Sequence, residues 1–488
     1  MKKIIYVFLL LLISSACRDR LTEEVYSFYD PSTYLISPET GYSLVDGIAM
    51  HWNESEMFRK DQVYIYQGMT ADHYLGRDIG HVDREPLFLY TFDAANAIIE
   101  GAYAGFYQSV YRANSVIDGI PNATYDETIK KYQIAEAHFY RGFSYFHLVR
   151  LFGGVPLLTS TDDVSRVEEI PRASASEVYD LIIEDFEFAR DNLPAKSEQQ
   201  RGRPFKNTAS AYLAEVYATM SGPETKIGGG NDKWADCIAE ARKAMEGITL
   251  QPVFKDIFTM ENQNSGELLF SLQFINQSGK DNSSGGWWNN VSKNGLNKLG
   301  FSKDFMDAYE PGDQRMFYTV RTWYNNKYFN PLYDVNADSC VWGKVWFDND
   351  KKIETRDCNI PVKRLSGVKL LLAEAINESK NGPDQEAYDA LNEIRARASL
   401  DPLSDLNYEE FRDAVRKERR IELACEYSTY MDLKRWGILI ETVNAQRKTD
   451  PHYSNFANIQ DFRVLLPIPL AEINRNKAIP QSAQNPGY

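Results

Sequence analysis

The stretch that decides the fold is residues 132–152, YQIAEAHFYRGFSYFHLVRLF. Its apolar side chains recur every three or four residues, at Tyr132, Ala135, Phe139, Phe143 and Phe146. That period is typical of one face of an α-helix. Gly153 and Gly154 interrupt the pattern, and Pro156 follows, so the helix is predicted to end there.

Helical patterns continue along the chain on a similar plan. Ser174 and Glu177 have the spacing of a capping box, which predicts the start of the next helix. Further helices are predicted at 209–220, with Asn207 or Thr208 as its cap, and at 234–245, 368–378 and 385–398. Three of the predicted helices, each the second helix of a hairpin, resemble one another. Each carries an aromatic residue followed ten residues later by Ala, at Tyr179 and Ala189, Trp234 and Ala244, and Tyr388 and Ala398.

Paired helices of this kind resemble degenerate tetratricopeptide repeats, in which each hairpin buries its apolar face against its neighbours. The predicted fold class is therefore all-α dominated: a tetratricopeptide-like helical solenoid, with hairpins at about 130–250 and 367–440. An ordinary all-α domain with chance similarity between its helices is the alternative. Rings on the helical stripes, such as Phe139, Phe143, Tyr179 and Tyr388, are predicted to form the core.

Residues 262–366 differ from the rest of the chain. Asn, Gly, Ser and Asp become frequent, and the helical period fades after Tyr309. The alternating piece at 268–274 predicts a strand, so this part is expected to be a loop-rich, partly β insert. Five of the eight Trp fall within it, at Trp287, Trp288, Trp323, Trp342 and Trp346. Because binding residues concentrate in loops held by a rigid scaffold, the insert is the best functional candidate.

Charge and composition exclude several classes of protein. The 488 residues include 54 basic and 69 acidic side chains, a net charge of −15, so a nucleic-acid partner is not expected. With 43% hydrophobic residues, the chain is not broadly disordered. The common hydrolase, metalloprotease and nucleotide-binding motifs are absent from the sequence, so the protein is predicted not to be an enzyme. A glycosidase with a pair of catalytic carboxylates remains an alternative, because the sequence does not show the distance between two acidic side chains.

The N-terminus is typical of an export signal. Lys2 and Lys3 precede ten apolar residues at 4–13, a run too short to span a bilayer. Small residues then lead to Cys17, as in a bacterial lipobox, which predicts a lipoprotein signal peptide at 1–16, lipidation of Cys17, and one mature body at 17–488. An ordinary secretory signal with a chance Cys is the alternative.

The remaining cysteines and one acidic loop raise two further hypotheses. Cys237 and Cys425 lie in helical patterns and are predicted to be core residues. Cys340 and Cys358 lie in the insert, where an exported protein can form a disulfide. Asp334, Asn336 and Asp338 match the first ligands of a calcium loop, but the loop lacks the Gly and the closing Glu of that motif. No cofactor is therefore predicted, with calcium left open.

The aromatic residues of the insert suggest a carbohydrate ligand. A sugar ring has an apolar face that stacks on Trp or Tyr and a hydroxyl edge that binds polar side chains. Trp287, Trp288, Trp323, Tyr324 and Trp342 are therefore the predicted ligand contacts. The alternative is that these rings pack the insert onto the solenoid.

Several motifs, in order, resemble the SusD/RagB lipoproteins of Bacteroidetes. They are AEAHFYRG at 135–142, LFGGVPL at 151–157, DQR at 313–315, AEA at 373–375, LNEIRARA at 391–398, ERRIEL at 418–423, DLKRWG at 432–437, LPIP at 466–469 and QNPGY at 484–488. The resemblance spans the mature chain.

The resemblance implies a fold and a role. Members of that family are lipid-anchored at the cell surface in the outer membrane, pair with a SusC-like TonB-dependent transporter, and capture oligosaccharides; a minority bind peptides. Their ligand residues come from the variable insert and from an early loop, which corresponds here to Asp72, Tyr74 and Arg77. A glycan-binding lipoprotein is thus expected, with a peptide-binding lid of the same transporter type, or a glycoside hydrolase, as alternatives.

Overall fold

The computed structural model describes Leu35 and residues 37–53, 57–58, 61–75, 80–264, 266–274, 299–321, 323–324, 327–328, 341–342, 359–449 and 457–488. Within these residues, the first seven helices are α1 (Pro38–Ala49), α2 (Glu85–Leu89), α3 (Ala97–Gly119), α4 (Glu127–Phe152), α5 (Ala175–Asn192), α6 (Lys206–Ser221) and α7 (Trp234–Met245). The helices that follow are α8 (Lys303–Asp307), α9 (Gln314–Thr319), α10 (Leu365–Lys380), α11 (Gln385–Arg397), α12 (Tyr408–Glu422), α13 (Thr429–Arg435), α14 (Leu439–Thr449) and α15 (Leu470–Arg475).

The helices pack in series. Helix α3 packs on α4, α4 on α5, α5 on α6 and α6 on α7. Helix α10 then packs on α7 and carries both α11 and α12. Each hairpin thus covers the apolar face of its neighbour, which confirms the predicted helical solenoid. None of the helices in the described ranges is long and apolar enough to cross a membrane.

Helix α4 shows why these residues fold together. Asp126 caps its first turn by accepting hydrogen bonds from the Thr128 and Ile129 amides, and Gly153, with a φ of 75°, ends it. Sequence periodicity predicts one apolar stripe, yet between residues 135 and 152 only His138 is not buried, because α3 and α5 cover two sides of the helix. Each buried Phe there contributes about 2 kcal/mol to stability.

The polar side chains of α4 are buried with partners. Arg141 pairs with Asp185 of α5 at 2.8 Å, and His138 Nδ1 lies 2.6 Å from the same carboxylate. His147 Nδ1 lies 2.5 Å from the hydroxyl of Tyr66. Because a buried polar group without a partner costs about 1–3 kcal/mol, these pairs offset the cost of placing polar side chains in the packed part of the helix.

Most predicted boundaries are confirmed, and one cap is wrong. The capping box of Ser174 and Glu177 starts α5 as predicted. Helix α6, however, begins at Lys206 with Phe205 at its N-cap position, so neither Asn207 nor Thr208 is its cap. The Asn207 amide instead donates to the carbonyls of Lys243 and Glu246, and so closes the end of α7. The spacing did not show which helix Asn207 serves.

The predicted core rings and cysteines are confirmed. Phe139, Phe143 and Tyr179 are buried, and Tyr388 is half-buried with its ring 5.0 Å from that of Phe411. Cys237 and Cys425 are buried.

The described strands form four antiparallel pairs. They are β1 (His73–Leu75) with β3 (Leu299–Phe301), β2 (Leu268–Leu272) with β8 (Ile360–Arg364), β4 (Val320–Arg321) with β7 (Val341–Trp342), and β5 (Trp323–Tyr324) with β6 (Lys327–Tyr328). The predicted strand at 268–274 is confirmed, and the insert leaves the solenoid after β2 and returns through β8. Helix α9 lies after Tyr309, where the helical period fades and no helix was predicted.

Candidate ligand-binding site

The early loop and the insert, which sequence analysis singled out separately, meet in the structure. Strands β1 and β3 pair so that His73 lies opposite Phe301, Tyr74 opposite Gly300 and Leu75 opposite Leu299. The Ser302 amide donates to the carbonyl of Asp72 at 2.8 Å, and its hydroxyl donates to the carbonyl of Ala71 at 2.8 Å. The two candidate segments therefore form one structural unit.

Three of the predicted aromatic contacts fall in one small β region. Val320 pairs with Trp342, and Trp323 pairs with Tyr328 in the adjoining two-stranded turn that also contains Tyr324. Since β4 and β5 are separated by a single residue, the backbones of Trp323, Tyr324 and Trp342 lie near one another. The chain thus gathers these aromatic residues directly after α9.

Other predicted positions lie outside the described residues. Among the ligand candidates these are Trp287, Trp288 and Arg77; of Tyr74 only the backbone is described. Cys17, the cysteine pair Cys340 and Cys358, and the calcium candidates Asp334, Asn336 and Asp338 lie outside them as well. Their roles stay predictions. Within the described ranges, no three His, Cys, Asp or Glu side chains group in a way that would hold a metal ion.

Asp72 is the one predicted ligand contact whose side chain is described. It is only 3% exposed, and its carboxylate accepts a hydrogen bond of 2.7 Å from Arg420 Nε of α12. Arg420 Nη2 donates to Asp304 of α8, also at 2.7 Å. The two carboxylates raise the pKa of Arg420, although burial acts in the opposite direction. Asp72 and Arg420 thus fasten the early loop and the insert to the solenoid.

His73 packs at the same junction, within the β1–β3 pair. Its ring lies 4.9 Å from that of Phe301, its partner in the β1–β3 pair. Burial lowers the pKa of His73 to about 4, because the charged imidazolium is poorly solvated there. The side chain is therefore neutral at physiological pH, and it packs as an apolar ring.

A second arginine fixes the helix that leads into the β region. Arg315 of α9 bonds to Asp313 at 2.8 Å, to Glu422 of α12 at 3.1 Å, and to Glu418. Arg315 is almost fully buried, and these carboxylates hold its pKa well above the usual value despite the burial. The charge-assisted bonds anchor α9, and with it the start of β4, to α12.

A third arginine, Arg364, closes the insert at its return. It bonds to Glu267 at 2.5 Å, to Glu422 at 2.9 Å and to Glu426 at 2.7 Å. Arg397 of α11 bonds to Glu267 and to Glu422, at 2.5 Å each. The exit and the return of the insert are thereby joined to the same buried charge network.

The motif residues of the C-terminal half therefore belong to the scaffold. Arg435 bonds to Asp432 at 2.9 Å and to Glu374 at 2.5 Å, while the indole of Trp436 donates to Glu374 at 2.8 Å. Trp436 is buried. At the chain end, the Asn485 amide donates to the carbonyl of Phe152 at 2.9 Å and holds the end of α4.

Phe317 is a candidate residue that sequence analysis missed. It lies on α9, one residue after Met316, and is 51% exposed although its helix is anchored by Arg315. Its ring meets the edge of the Tyr318 ring at 5.2 Å. An exposed Phe three residues before β4 is a ready stacking surface. The only sequence signal for it is an aromatic pair one residue after the DQR motif.

An open cleft of about 710 Å³ lies beside the end of β2, where the chain leaves the solenoid. Its walls are α1, α4, the turn at 200–203 and the end of β2. Trp52, Tyr140 and Phe270 supply apolar surface, and Arg203 and Gln273 supply polar groups. Arg203 pairs with Glu136 at 2.9 Å, and burial raises the pKa of that carboxyl to about 7. The cleft combines the two kinds of surface that a sugar requires.

These features define the class: a helical solenoid that carries a clamped, partly β insert. Comparison with known families agrees with it. Residues 289–488 match the family described as the SusD family, and residues 54–218 match one described as "starch-binding associating with outer membrane". The chain belongs to the SusD/RagB family.

Relatives and solved structures are similar over almost the whole chain. A SusD-like protein of Formosa agariphila is 26% identical, and the alignment covers 99% of each chain. A SusD homolog from Bacteroides thetaiotaomicron has a TM-score of 0.82 at 23% identity, covering 94% of this chain and 98% of that one. A structure solved with xylogluco-oligosaccharide has a TM-score of 0.74 at 23% identity, covering 90% and 98%.

Proposed function

We propose that this protein is a cell-surface lipoprotein that binds oligosaccharides and passes them to a SusC-like TonB-dependent transporter without cleaving them. The observation that carries the proposal is the gathering of Trp323, Tyr324 and Trp342 in short strands directly after the anchored helix α9. The predicted contacts Trp287 and Trp288 belong to the segment that runs from β2 to β3.

Physical chemistry supports a carbohydrate as the ligand. Stacking a sugar on an aromatic ring removes apolar surface from water, at about 25 cal/mol per Å². A platform that is already rigid loses little conformational entropy when it binds. The buried bonds of Arg315, Arg364 and Arg420 supply that rigidity in the described residues. Aromatic residues on a clamped support therefore suit a ligand with a flat apolar face, such as a sugar ring.

The comparisons support the same proposal. One matching family is described as starch-binding, and a protein of the same fold was solved with xylogluco-oligosaccharide. The predicted lipidation motif at Cys17 and that family's description support the proposed outer-membrane location. A lipid anchor places the binding surface outside the cell, where a transporter is needed to carry the ligand further.

The test is polysaccharide affinity electrophoresis of the soluble chain, residues 18–488, against a panel of plant, algal and host glycans. Retardation by at least one glycan, with no change in the glycan's chain length after incubation, is the expected result. Binding of peptide mixtures without any retardation would favour the peptide-binding lid. Release of shorter sugars by the purified protein would favour a glycoside hydrolase.

A further inference from the structure

A second concave surface lies on α3, apart from the insert. It is a groove of about 450 Å³ between α3, the segment 156–167 and α15. Tyr103, Tyr107 and Tyr111 line it from one face of α3, spaced four residues apart. Tyr111 is 48% exposed, and Val164 across the groove is 45% exposed. We name this surface the tyrosine groove.

The tyrosine groove is preformed and mainly apolar. The hydroxyl of Tyr107 donates to the carbonyl of Pro156 at 2.7 Å, so its ring is held against the opposite wall. The rings of Tyr103 and Tyr107 lie 4.8 Å apart. Leu158 and Pro469 add further apolar surface, and charged groups such as Glu100 and Arg475 stand at the edge. An exposed apolar surface of this kind marks a docking site.

The N-terminal segment reaches the body on this same helix. Helix α1 packs on α3, and the Leu35 side chain lies within 3.7 Å of the position that a Cβ on Gly119 would take, at the C-terminal end of α3. At 1.5 Å per residue, Tyr111 is about 12 Å back along α3 and Ala104 is about 22 Å back. Seven extended residues cover up to about 23 Å, so Phe28 can reach Tyr111 and Ala104 in the tyrosine groove from Leu35.

The chemistry of that segment matches the tyrosine groove. Residues 25–29 are VYSFY, a short aromatic and apolar run between the acidic pair Glu23 and Glu24 and Asp30. We infer that residues 25–29 dock in the tyrosine groove. This docking has a consequence that rests on the proposed lipid anchor at Cys17: the tether then leaves the body from the α3 face. The body is then held at the membrane in one orientation, with α3 toward the lipid.

Disulfide trapping tests the docking on residues 18–488 without lipid or glycan. Phe28→Cys is combined with Ala104→Cys, an exposed groove position. The control combines Phe28→Cys with Asn122→Cys, which is exposed just beyond the end of α3 and nearer to Leu35. A freely moving tether meets the nearer thiol at least as often. Docking predicts that the Ala104 pair closes about tenfold faster than the Asn122 pair.

Each outcome decides the inference. Equal rates, or faster closure at Asn122, would overturn it. Disulfide-linked dimers from the Ala104 pair would overturn it too, because a second copy would then be the occupant. In a second measurement, Tyr111→Ala with the Ala104 pair should slow closure to the control rate if the ring forms part of the dock. Glycan retardation of the same proteins is scored separately, so failure of the docking leaves the proposed function standing.

Discussion

Arg420 Nε of α12 donates a hydrogen bond of 2.7 Å to the Asp72 carboxylate, across 348 residues of sequence. The same guanidinium reaches Asp304 in the insert. One side chain therefore joins the early loop, the insert and the solenoid. If the aromatic residues of the insert bind the ligand, the geometry of that surface depends on Arg420.

Replacing Arg420 should weaken both glycan binding and the fold. For Arg420→Ala we expect a loss of affinity of about tenfold and a fall in the free energy of unfolding of about 2 kcal/mol, because Asp72 keeps its burial but loses its cation. Isothermal titration and urea unfolding measure the two effects. Arg412→Ala is the control, since Arg412 lies on the same helix and contacts its helix neighbours Asp413, at 3.3 Å, and Tyr408. Unchanged affinity in Arg420→Ala would contradict the coupling.

Removing Arg364 should destabilise the protein severely. Its guanidinium is fully buried and contacts Glu267, Glu422 and Glu426. Arg364→Ala leaves buried carboxylates without that partner, so a loss of about 3–5 kcal/mol in the free energy of unfolding is expected. Arg242→Ala, which breaks an exposed pair with Glu386, should cost less than about 1 kcal/mol. Guanidinium unfolding of both variants checks the contrast, and similar losses in the two would be inconsistent with a buried network.

Acid should weaken the β1–β3 junction through His73. Burial lowers its pKa from 6.5 to about 4, so the fold favours the neutral ring. The resulting stability is fully present above pH 6.5 and is lost as the pH falls through about 4. From pH 6 to pH 5 the contribution falls by about 1 kcal/mol. Urea unfolding across this range should show a shallower pH dependence in His73→Gln than in the wild type; identical slopes would exclude His73 as the cause.

Phe317 should contribute to ligand binding without supporting the fold. Its ring is half exposed on α9, so Phe317→Ala should change the free energy of unfolding by less than about 1 kcal/mol. We expect affinity for the best-retarding glycan to fall several-fold, because one stacking surface next to β4 is lost. Tyr111→Ala, an equally exposed ring in the tyrosine groove, should leave glycan affinity unchanged. Calorimetric titration of both variants tests this. If Phe317→Ala and Tyr111→Ala bind the glycan with equal affinity, Phe317 is not part of the binding site.

Sequence periodicity predicted the solenoid well, because α4 and α7 are specified locally by their apolar spacing and by glycine breaks. It could not assign Asn207, whose amide caps the end of a different helix. It also could not pair Asp72 with Arg420, since their contact arises only when distant segments pack. Family motifs such as DQR and ERRIEL pointed to the right segments, but the structure shows that their charged side chains are buried supports. Sequence periodicity could not identify the exposed Phe317, because a single surface residue does not recur at a regular spacing.

The most direct test of the central claim is calorimetric titration of an oligosaccharide from the best-retarding glycan into the wild type and Trp323→Ala, at equal folded concentration. The account predicts saturable binding by the wild type and a loss of affinity of at least about tenfold in Trp323→Ala, equivalent to about 1.4 kcal/mol. Tyr111→Ala serves as the matched aromatic control and should bind like the wild type. Equal affinity in the wild type and Trp323→Ala would contradict the claim that the clamped aromatic insert is the binding surface.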